Sequence, residues 1–402
     1  MKNYTNLFLF AIVLIGLFSC QTEKRDISSI QRLNDSIKKE YAPDKRVAIY
    51  DITLQATQNS IILKGESDQP KAVQAFKQLL TEKSEQIIDS VVILPDASVG
   101  KLKYAVVNNS VANIRSQGRH SGELATQALL GTGLKVLKNA NWFYLVQTPD
   151  AYISWVDHGG VTLMNEEEYL AWNKAPKIIF TKPWGYSYQE KNDGSTKVSD
   201  LVLGAQLKLL SEKRKYYEVE YPNKRIAYVK KSESDLYSKW IEDVDPSPEL
   251  IESYALDFLG APYLWGGTSS KGMDCSGFTK TVYLMNGFII PRDASQQINA
   301  GKDVDPDLNF KNLEKGDLMF FGTKATDSTK QRTTHVGLWL GNDRGDFIHE
   351  ASQVHLSSID PESDYYDKSN TKRYLGSRRY LGEKDKMITN LKTDKVLTEI
   401  KQ

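Results

Sequence analysis

The chain contains only two cysteines, and the second of them, Cys275, stands in a pattern that suits a nucleophile. Apolar residues follow it at helical spacing, at Phe278, Val282 and Met285. Cys275 is therefore predicted at the N-terminus of a helix, where unpaired backbone N–H groups and the helix dipole favour a thiolate. Since the thiolate is the nucleophilic form of cysteine, this is a suitable position for a catalytic one.

A thiol nucleophile needs a base beside it, and two histidines stand where a hairpin would bring them together. Residues 334–340 alternate like a strand and contain His335, and after a turn residues 347–351 return as a second strand with His349. Two antiparallel strands can hold both imidazoles on one face, so His335 is predicted to take the thiol proton and His349 to orient it. His355 has the same strand parity as His349 and is the alternative for the orienting role.

The composition excludes several other classes of protein. Lys and Arg number 52 against 51 Asp and Glu, so no basic excess favours nucleic acid. Two cysteines are too few for a disulfide scaffold or a four-cysteine zinc site, and the histidines lack the close spacing of known zinc sites. Hydrophobic residues make up 40% and charged residues 26%, as in ordinary soluble proteins. We therefore expect an enzyme without a metal or other cofactor.

The N-terminus is typical of an export signal. Leu7–Leu17 is an apolar run too short to span a bilayer, and a small residue directly precedes Cys20. Residues 1–20 resemble a bacterial lipoprotein signal peptide, with cleavage before Cys20 and a lipid on its sulfur. An ordinary secretory signal with an incidental cysteine is the alternative. We expect an exported protein of the cell envelope, lipid-anchored to a bacterial membrane and facing the periplasm or the surface.

The next segment, residues 21–98, predicts a tether and a small α+β module. Strands are indicated near 47–54, 60–66 and 90–94, with a helix that begins at Pro70. Because the module carries no His, Cys or Gly-rich loop, its predicted role is spacing or interaction.

An internal repeat follows, because the chain matches itself when it is shifted by 73 positions. Residues 130–156 align with the second copy with ten identities in 27 positions and no gap, and Ile153–Val156 falls on Ile226–Val229. Each copy consists of short alternating strands with frequent turns, which predicts a small barrel. The copies resemble bacterial SH3-like domains, with predicted bounds of 99–172 and 173–240.

The last domain, predicted at 241–382, carries five motifs in a fixed order. They are P-Y-x-W-G-G from Pro262, D-C-S-G-F from Asp274, L-x-x-G-D-L-x-F-F from Leu313, H-V-G-L-W-L-G from His335 and F-I-H-E-A from Phe347. Together they resemble the NlpC-type cysteine peptidases of bacterial cell walls, a papain-like family. The implied fold class is α+β and multidomain, with a small α+β module, two SH3-like β-barrels and a papain-like α+β catalytic domain. Residues 383–402 are predicted to be a charged tail, either a terminal helix or disordered.

The resemblance implies a role for each residue of the motifs. Cys275 is the nucleophile, His335 the base and His349 the third polar residue, and the reaction passes through a thioester. Tyr263 lies beside the nucleophile, and the amide N–H of Cys275 helps to form an oxyanion hole. Trp265 in the same motif is expected to be a core aromatic. The family hydrolyses the bond between D-γ-glutamate and the diamino acid of peptidoglycan stem peptides.

Two SH3-like domains before such a catalytic domain are similar to a subgroup of γ-D-glutamyl-L-diamino acid endopeptidases. In that subgroup the first SH3-like domain helps to bind the free amino group of an N-terminal L-Ala, which excludes sugar-linked stems. The resemblance implies Glu123 as the amine-binding carboxylate and Tyr152 as its partner, with Asp274 and Ser276 completing the site. Asp274 and Ser276 also suit the capping of a helix, which is the alternative. We expect a monomer that acts on L-Ala-γ-D-Glu-diamino acid peptides.

Two other functions remain open at this point. A Cys–His pair also serves papain-like acyltransferases and other amidases, and a wall-binding adaptor would retain the fold with a silent catalytic domain. The SH3-like pair and the segment 121–131 around Glu123, which resembles a loop of that subgroup, argue against the first function. The intact Cys275, His335 and His349 argue against the second. The sequence leaves open whether the diamino acid is diaminopimelate or lysine.

Overall fold

The computed structural model describes residues 26–394. The predicted signal peptide and its lipidation site, Cys20, lie outside the described residues. Within residues 26–394, no helix is both long enough and apolar enough to cross a bilayer. The described chain forms one three-stranded sheet, two seven-stranded sheets and one six-stranded sheet, together with two small two-stranded ribbons.

The N-terminal module, residues 26–98, packs two helices on the three-stranded sheet. Its elements are α1 (Ser28–Tyr41), β1 (Tyr50–Ala56), β2 (Ile61–Ser67), α2 (Pro70–Glu82) and β3 (Ile87–Ile93). The strand β2 pairs antiparallel with β1 and parallel with β3. Pro70 occupies the first turn of α2, where its missing N–H costs nothing, and Phe76 and Leu80 of that helix are buried in the module's core.

The first seven-stranded sheet surrounds its own apolar core. Its strands are β4 (Tyr104–Val107), β5 (Val111–Arg115), β6 (Leu124–Leu129), β7 (Gly133–Ala140), β8 (Phe143–Gln147), β9 (Ile153–Asp157) and β10 (Val161–Met164), followed by α3 (Glu166–Lys174). The hydrogen-bonded order is β10-β4-β7-β8-β9-β5-β6, which is open at both edges. Asn165 and Glu168 form a capping box that begins α3.

The second seven-stranded sheet repeats this topology. Its strands are β11 (Lys177–Phe180), β12 (Trp184–Tyr188), β13 (Lys197–Val202), β14 (Gln206–Glu212), β15 (Tyr216–Glu220), β16 (Ile226–Lys230) and β17 (Ser234–Leu236), followed by α4 (Tyr237–Asp243). Its order, β17-β11-β14-β15-β16-β12-β13, is the same as that of the first sheet strand for strand. The strand β15 begins at Tyr216, 73 positions after β8 begins at Phe143, so the internal repeat corresponds to two copies of one SH3-like unit.

The C-terminal domain packs helices against the six-stranded sheet. Its helices are α5 (Pro248–Leu256), α6 (Cys275–Met285), α7 (Ala294–Gln297) and α8 (Lys368–Lys372), and its strands are β18 (Thr268–Ser269), β19 (Gly272–Met273), β20 (Phe288–Ile289), β21 (Lys302–Asp303), β22 (Leu318–Thr323), β23 (Arg332–Trp339), β24 (Asp346–Glu350), β25 (Val354–Ser358), β26 (Tyr374–Arg379) and β27 (Thr389–Asn390). The sheet order is β21-β26-β22-β23-β24-β25. Phe278, Val282 and Met285 of α6 are fully buried against this sheet, as the helical spacing predicts.

The predicted charged tail does not form a helix where it is described. Residues 389–390 form β27, which pairs antiparallel with β20, and Ile388 is buried against the C-terminal domain. The apolar residues between the charges, Met387 and Leu391 among them, pack on the same core and explain why this segment is held.

The first SH3-like sheet packs directly on the C-terminal domain through buried polar contacts. The Gln127 side-chain oxygen accepts hydrogen bonds from the Thr268 amide and the Ser269 hydroxyl, each at 3.0 Å. Gly266 has a φ of +79°, and a Cβ there would lie 2.2 Å from the Leu124 carbonyl oxygen. Only glycine permits this close approach, so the segment around Gly266, which precedes Cys275, packs tightly against β6 of the first SH3-like sheet.

Candidate active site

Cys275 is the first residue of α6 and is buried, with 7% of its surface exposed. The Asp274 side chain caps the helix by accepting a hydrogen bond from the Gly277 amide at 2.8 Å. The thiol itself interacts with the backbone N–H groups of Ser276 and Val336. Since Val336 directly follows His335 in β23, these contacts fix the thiol beside the predicted base.

His335 and His349 are joined by a hydrogen bond between their rings. Gly337 of β23 pairs with His349 of β24, which puts His335 diagonally across from His349 on the same face of the sheet. The His335 Nε2 atom lies 2.7 Å from His349 Nδ1, and His349 Nε2 lies 3.0 Å from the Ser357 hydroxyl. The Nδ1 atom of His335 is therefore the ring nitrogen that has no hydrogen-bond partner among the described residues.

His355, the alternative for the orienting role, stands one step further from the base. Its strand β25 pairs it directly with His349, and the two ring centroids are 4.4 Å apart. Its own Nδ1 is hydrogen bonded to the Gln353 carbonyl at 2.8 Å. His349 thus lies between His355 and His335, and it is His349 that contacts the base.

Burial keeps both reacting groups neutral near pH 7. It raises the pKa of the Cys275 thiol to about 12, and the Asp274 charge acts in the same direction. Burial also lowers the pKa of His335 to about 3, and the Arg373 charge adds to this effect. The sequence predicts a thiolate at the helix N-terminus, but the buried resting pair is a thiol and a neutral imidazole. The proton must therefore move during attack.

Asp274 is engaged on both oxygens by protein groups. Arg292 donates from Nη1 to Oδ1 at 3.0 Å and from Nη2 to Oδ2 at 2.7 Å, and the Gly266 amide donates to Oδ2 at 2.9 Å. The Ser276 hydroxyl contacts the same carboxylate. Although burial acts to raise it, Arg292 holds the pKa of the Asp274 carboxyl below its ordinary value. The Asp274 carboxylate is thus the N-cap of α6, which is the capping role that the sequence indicates as an alternative. It is also one half of a buried ion pair with Arg292.

A cavity of about 950 Å³ opens above the thiol between three parts of the chain. All the predicted substrate-binding residues lie on its wall, together with Cys275: Glu123, Tyr152, Tyr263, Asp274 and Ser276. Burial raises the pKa of Tyr263, and the neighbouring Cys275 and Asp274 act in the same direction, as expected for a phenol near the nucleophile. His335 and His349 are buried and do not belong to this wall.

Glu123 and Tyr152 form the end of the cavity supplied by the first SH3-like sheet. Glu123 lies in the loop between β5 and β6, is exposed, and accepts a hydrogen bond from the Trp265 indole N–H at 2.7 Å. Tyr152 is buried just before β9. Burial is the main cause that raises the pKa of its phenol, and the nearby Asp293 carboxylate raises it further. The expectation that Trp265 is a core aromatic is wrong, because 62% of its surface is exposed and it lines the cavity.

Several residues of the site carry no signal in the sequence pattern. Arg292 is 1% exposed, and besides Asp274 it contacts Thr126 of the first SH3-like sheet at 3.1 Å. Asp293 and Arg46 line the cavity, although Arg46 belongs to the N-terminal module. These contacts join distant parts of the chain, so no local motif could have found them.

Glu350 lies beside the site and is a buried acid whose hydrogen bonds are unsatisfied among the described residues. It directly follows His349 and is fully buried, and neither carboxyl oxygen has a hydrogen-bond partner among the described residues. Burial and the nearby Asp274 charge raise its pKa to about 8. Glu350 therefore carries its proton at neutral pH, which spares the site a buried, uncompensated charge.

Comparisons with known proteins agree with this arrangement. The profile of the NlpC/P60 family matches residues 260–379, and that of the bacterial dipeptidyl-peptidase Sh3 domain matches residues 114–160. The chain is similar to the gamma-D-glutamyl-L-lysine dipeptidyl-peptidase of Bacillus cereus, with 32% identity over 278 residues, which cover 65% of this chain and 77% of that protein. It is also similar to dipeptidyl-peptidase 6 of Lysinibacillus sphaericus, with 26% identity over 68% of this chain and 98% of that protein.

Among solved structures, the crystal structure of an NlpC/P60 family protein from Bacillus cereus superposes with a TM-score of 0.59 at 26% identity. The match covers 69% of this chain and 99% of that one. Neither family profile covers the N-terminal module, residues 26–98. With the cysteine, the histidine pair and the SH3-like sheet in place, the chain belongs to the NlpC/P60 family of cysteine peptidases.

Proposed function

We propose that this enzyme hydrolyses the bond between D-γ-glutamate and the diamino acid of peptidoglycan stem peptides, and that it prefers stems with a free N-terminal L-Ala. The observation that carries the proposal is the single cavity that contains Cys275 at one position and Glu123 and Tyr152 at another. The nucleophile and a candidate amine site thus face one substrate. The name of the Bacillus cereus relative, a gamma-D-glutamyl-L-lysine dipeptidyl-peptidase, supports the same bond.

In this mechanism the Cys275 sulfur attacks the γ-carbonyl carbon of D-glutamate while His335 Nδ1 takes the thiol proton. The competent tautomer has His349 Nε2–H donating to Ser357, so that His349 Nδ1 accepts the N–H of His335 Nε2. The oxyanion faces the amide N–H of Cys275, one of the free donors of the first helical turn. His335 then protonates the amine of the leaving diamino acid. Water, deprotonated by His335, then attacks the thioester carbonyl carbon. The C–S bond breaks, the Cys275 thiolate recovers the proton from His335, and L-Ala-γ-D-Glu is released.

At the other end of the substrate, the ammonium of L-Ala meets the Glu123 carboxylate and the Tyr152 hydroxyl. Trp265 holds the Glu123 carboxylate in position through its indole N–H. Asp274 and Ser276, which flank Cys275 in the chain and line the same cavity, complete this amine site. A muramyl group on the L-Ala nitrogen would remove the charge and add bulk, so sugar-linked stems bind poorly.

The test is mass spectrometry of digests by the protein beginning at Thr22, with the Cys275→Ala variant as the control. The substrates are the free tripeptide L-Ala-γ-D-Glu-diaminopimelate, its lysine counterpart and the same stem still attached to N-acetylmuramic acid. Cleavage of the free peptides alone, between glutamate and the diamino acid, supports the proposal. Cleavage of the muramyl stem at an equal rate retains the peptidase and removes the amine preference. Cleavage of none of them by the wild type contradicts the proposal and favours acyl transfer or an adaptor.

The location of the enzyme is a proposal of its own. The apolar run Leu7–Leu17 and Cys20 support export and lipid anchoring at the cell envelope, where stem peptides are released. Membrane fractionation of cells that produce the full-length chain or its Cys20→Ala variant tests this: wild-type protein in the membrane fraction and variant protein in the soluble fraction would support the anchor. Equal distribution of the two proteins would contradict it.

A further inference from the structure

The N-terminal module reaches the active-site cavity through one arginine. Arg46 lies in the segment between α1 and β1, and its Nη1 donates to Asp293 Oδ2 at 2.7 Å and to the Ser295 hydroxyl at 2.9 Å. Arg46, Asp293 and Ser295 all line the same cavity as Cys275. A module that carries no catalytic motif thus completes part of the substrate-facing wall.

The position of Arg46 is fixed by further contacts of both its side chain and its backbone. The Asp44 carboxylate takes the other edge of the guanidinium, with Nε–Oδ1 and Nη2–Oδ2 distances of 2.8 and 2.7 Å, and also accepts a hydrogen bond from Gln296 at 2.8 Å. The Arg46 carbonyl accepts a hydrogen bond from the Ile153 amide at 2.6 Å, directly after Tyr152. Arg46 is therefore fixed between α7 of the catalytic domain and β9 of the first SH3-like sheet.

The charges show what this arrangement does. Glu123 and Asp293 are two carboxylates on the wall of one cavity. The Asp293 charge raises the pKa of Tyr152, and the charges of Arg292 and Arg46 lower it. Arg46 binds only Oδ2 of Asp293, while Oδ1 lies 3.9 Å from Arg292, which is already engaged by Asp274. Oδ1 thus has no charged partner closer than 3.9 Å among the described residues, and the Asp293 side chain also takes part with Gln296 in the capping box that begins α7. Without Arg46, the Asp293 carboxylate would lose its ion pair at 2.7 Å, and the capping box of α7 would be left to orient it.

We infer that Arg46 is a positioning and specificity residue, which orients Asp293 toward the ammonium end of the substrate and closes the cavity beyond that end. The inference rests on the proposed function, since it concerns the same amine-bearing peptide. It assigns to the N-terminal module a part in substrate selection rather than only spacing.

The experiment compares Arg46→Gln, Arg46→Lys and, as a matched control, Lys45→Gln, which removes the charge of the exposed neighbouring residue. The kcat and KM are measured with the free tripeptide L-Ala-γ-D-Glu-diaminopimelate and with its N-acetylated form. We expect Arg46→Gln to raise KM for the free peptide by about 10-fold or more with little change in kcat. The reason is that a misplaced Asp293 carboxylate loses its charge-assisted contact with the substrate ammonium. KM for the acetylated peptide should hardly change. Arg46→Lys should recover part of the loss, and Lys45→Gln should behave as the wild type.

A KM for Arg46→Gln equal to that of the wild type would overturn the inference. So would an equal loss on both peptides together with a lowered melting temperature, since that result indicates a purely structural contact. Binding to the Cys275→Ala protein separates this inference from the proposed reaction. If the wild type cleaves neither peptide, calorimetry with the free peptide still decides: weaker binding after adding Arg46→Gln supports the role of Arg46, and unchanged or absent binding refutes it.

Discussion

The His335 Nε2 atom lies 2.7 Å from His349 Nδ1, so the second histidine holds the ring of the first through Nε2. The pair is set by strand register, since β23 and β24 put the two rings diagonally on one face. Ser357 continues the chain of contacts at 3.0 Å from His349 Nε2. The orientation of the base thus depends on side chains that follow it by 14 and 22 positions in the sequence.

Replacing His349 by Ala should lower kcat by roughly 10²-fold or more, because the base loses its tautomer and its orientation. His355→Ala is the matched control, since that ring contacts His349 but not His335, and its kcat should stay within about 2-fold of the wild type. Steady-state rates on the free tripeptide check both variants, with circular dichroism to confirm folding. A His355→Ala loss as large as that of His349→Ala would reverse the assignment of the third residue.

Arg373 should set the acid limit of activity. Its guanidinium, which donates to the Thr334 hydroxyl at 3.2 Å, adds to the effect of burial and lowers the pKa of His335. Removing the charge in Arg373→Gln raises this pKa, so His335 becomes protonated, and inactive as a base, at a higher pH. The acid limb of kcat/KM should therefore move to higher pH. Arg373→Lys, which keeps the charge, should leave the limb in place, and an unmoved limb in Arg373→Gln would show that this charge does not act on the base.

Trp265→Phe tests the support of the amine-binding carboxylate. The change retains an aromatic ring but removes the N–H that donates to Glu123 at 2.7 Å. We expect KM for the free-amine peptide to rise by roughly 3–10-fold, while the N-acetylated peptide is unaffected. Trp142→Phe is the control, because Trp142 is also exposed but does not line the cavity. Equal effects of Trp265→Phe on both peptides would indicate a packing role for the indole instead.

Local patterns sufficed to predict the elements that hold the catalytic groups. Helical spacing after Cys275 and strand alternation around His335 and His349 depend only on neighbouring residues, and the structure has those elements. The same is true of the 73-residue repeat. Arg46 and Asp293 are separated by 247 positions, and their ion pair depends on how three domains pack, which no local period encodes.

Trp265 shows a second limit of sequence patterns. Its apolar character favours burial, but here the ring lines a cavity and its N–H serves a carboxylate. The thiolate prediction fails for a related reason. A helix N-terminus does favour the anion, but burial of the thiol opposes it more strongly, and burial follows from the tertiary fold.

Glu350 makes stability depend on pH in a direction that can be checked. Its pKa is raised from the ordinary value of 4.5 to about 8 in the folded state, because burial and Asp274 disfavour the charged form. Between these two values the folded state binds more protons than the unfolded state, so the free energy of unfolding falls as pH rises. The melting temperature of the wild type should decline from about pH 4.5 to about pH 8.

Glu350→Gln keeps the shape of the side chain and cannot ionise, so its melting temperature should lack this contribution and exceed that of the wild type at pH 8. Glu362→Gln removes an exposed carboxylate and should leave the wild-type slope unchanged. Scanning calorimetry of the three proteins across the range separates the cases. A wild-type slope that persists in Glu350→Gln would assign the pH dependence to another group. It would also mean that the unpaired carboxyl beside His349 is hydrated or bonded in solution and does not need its proton.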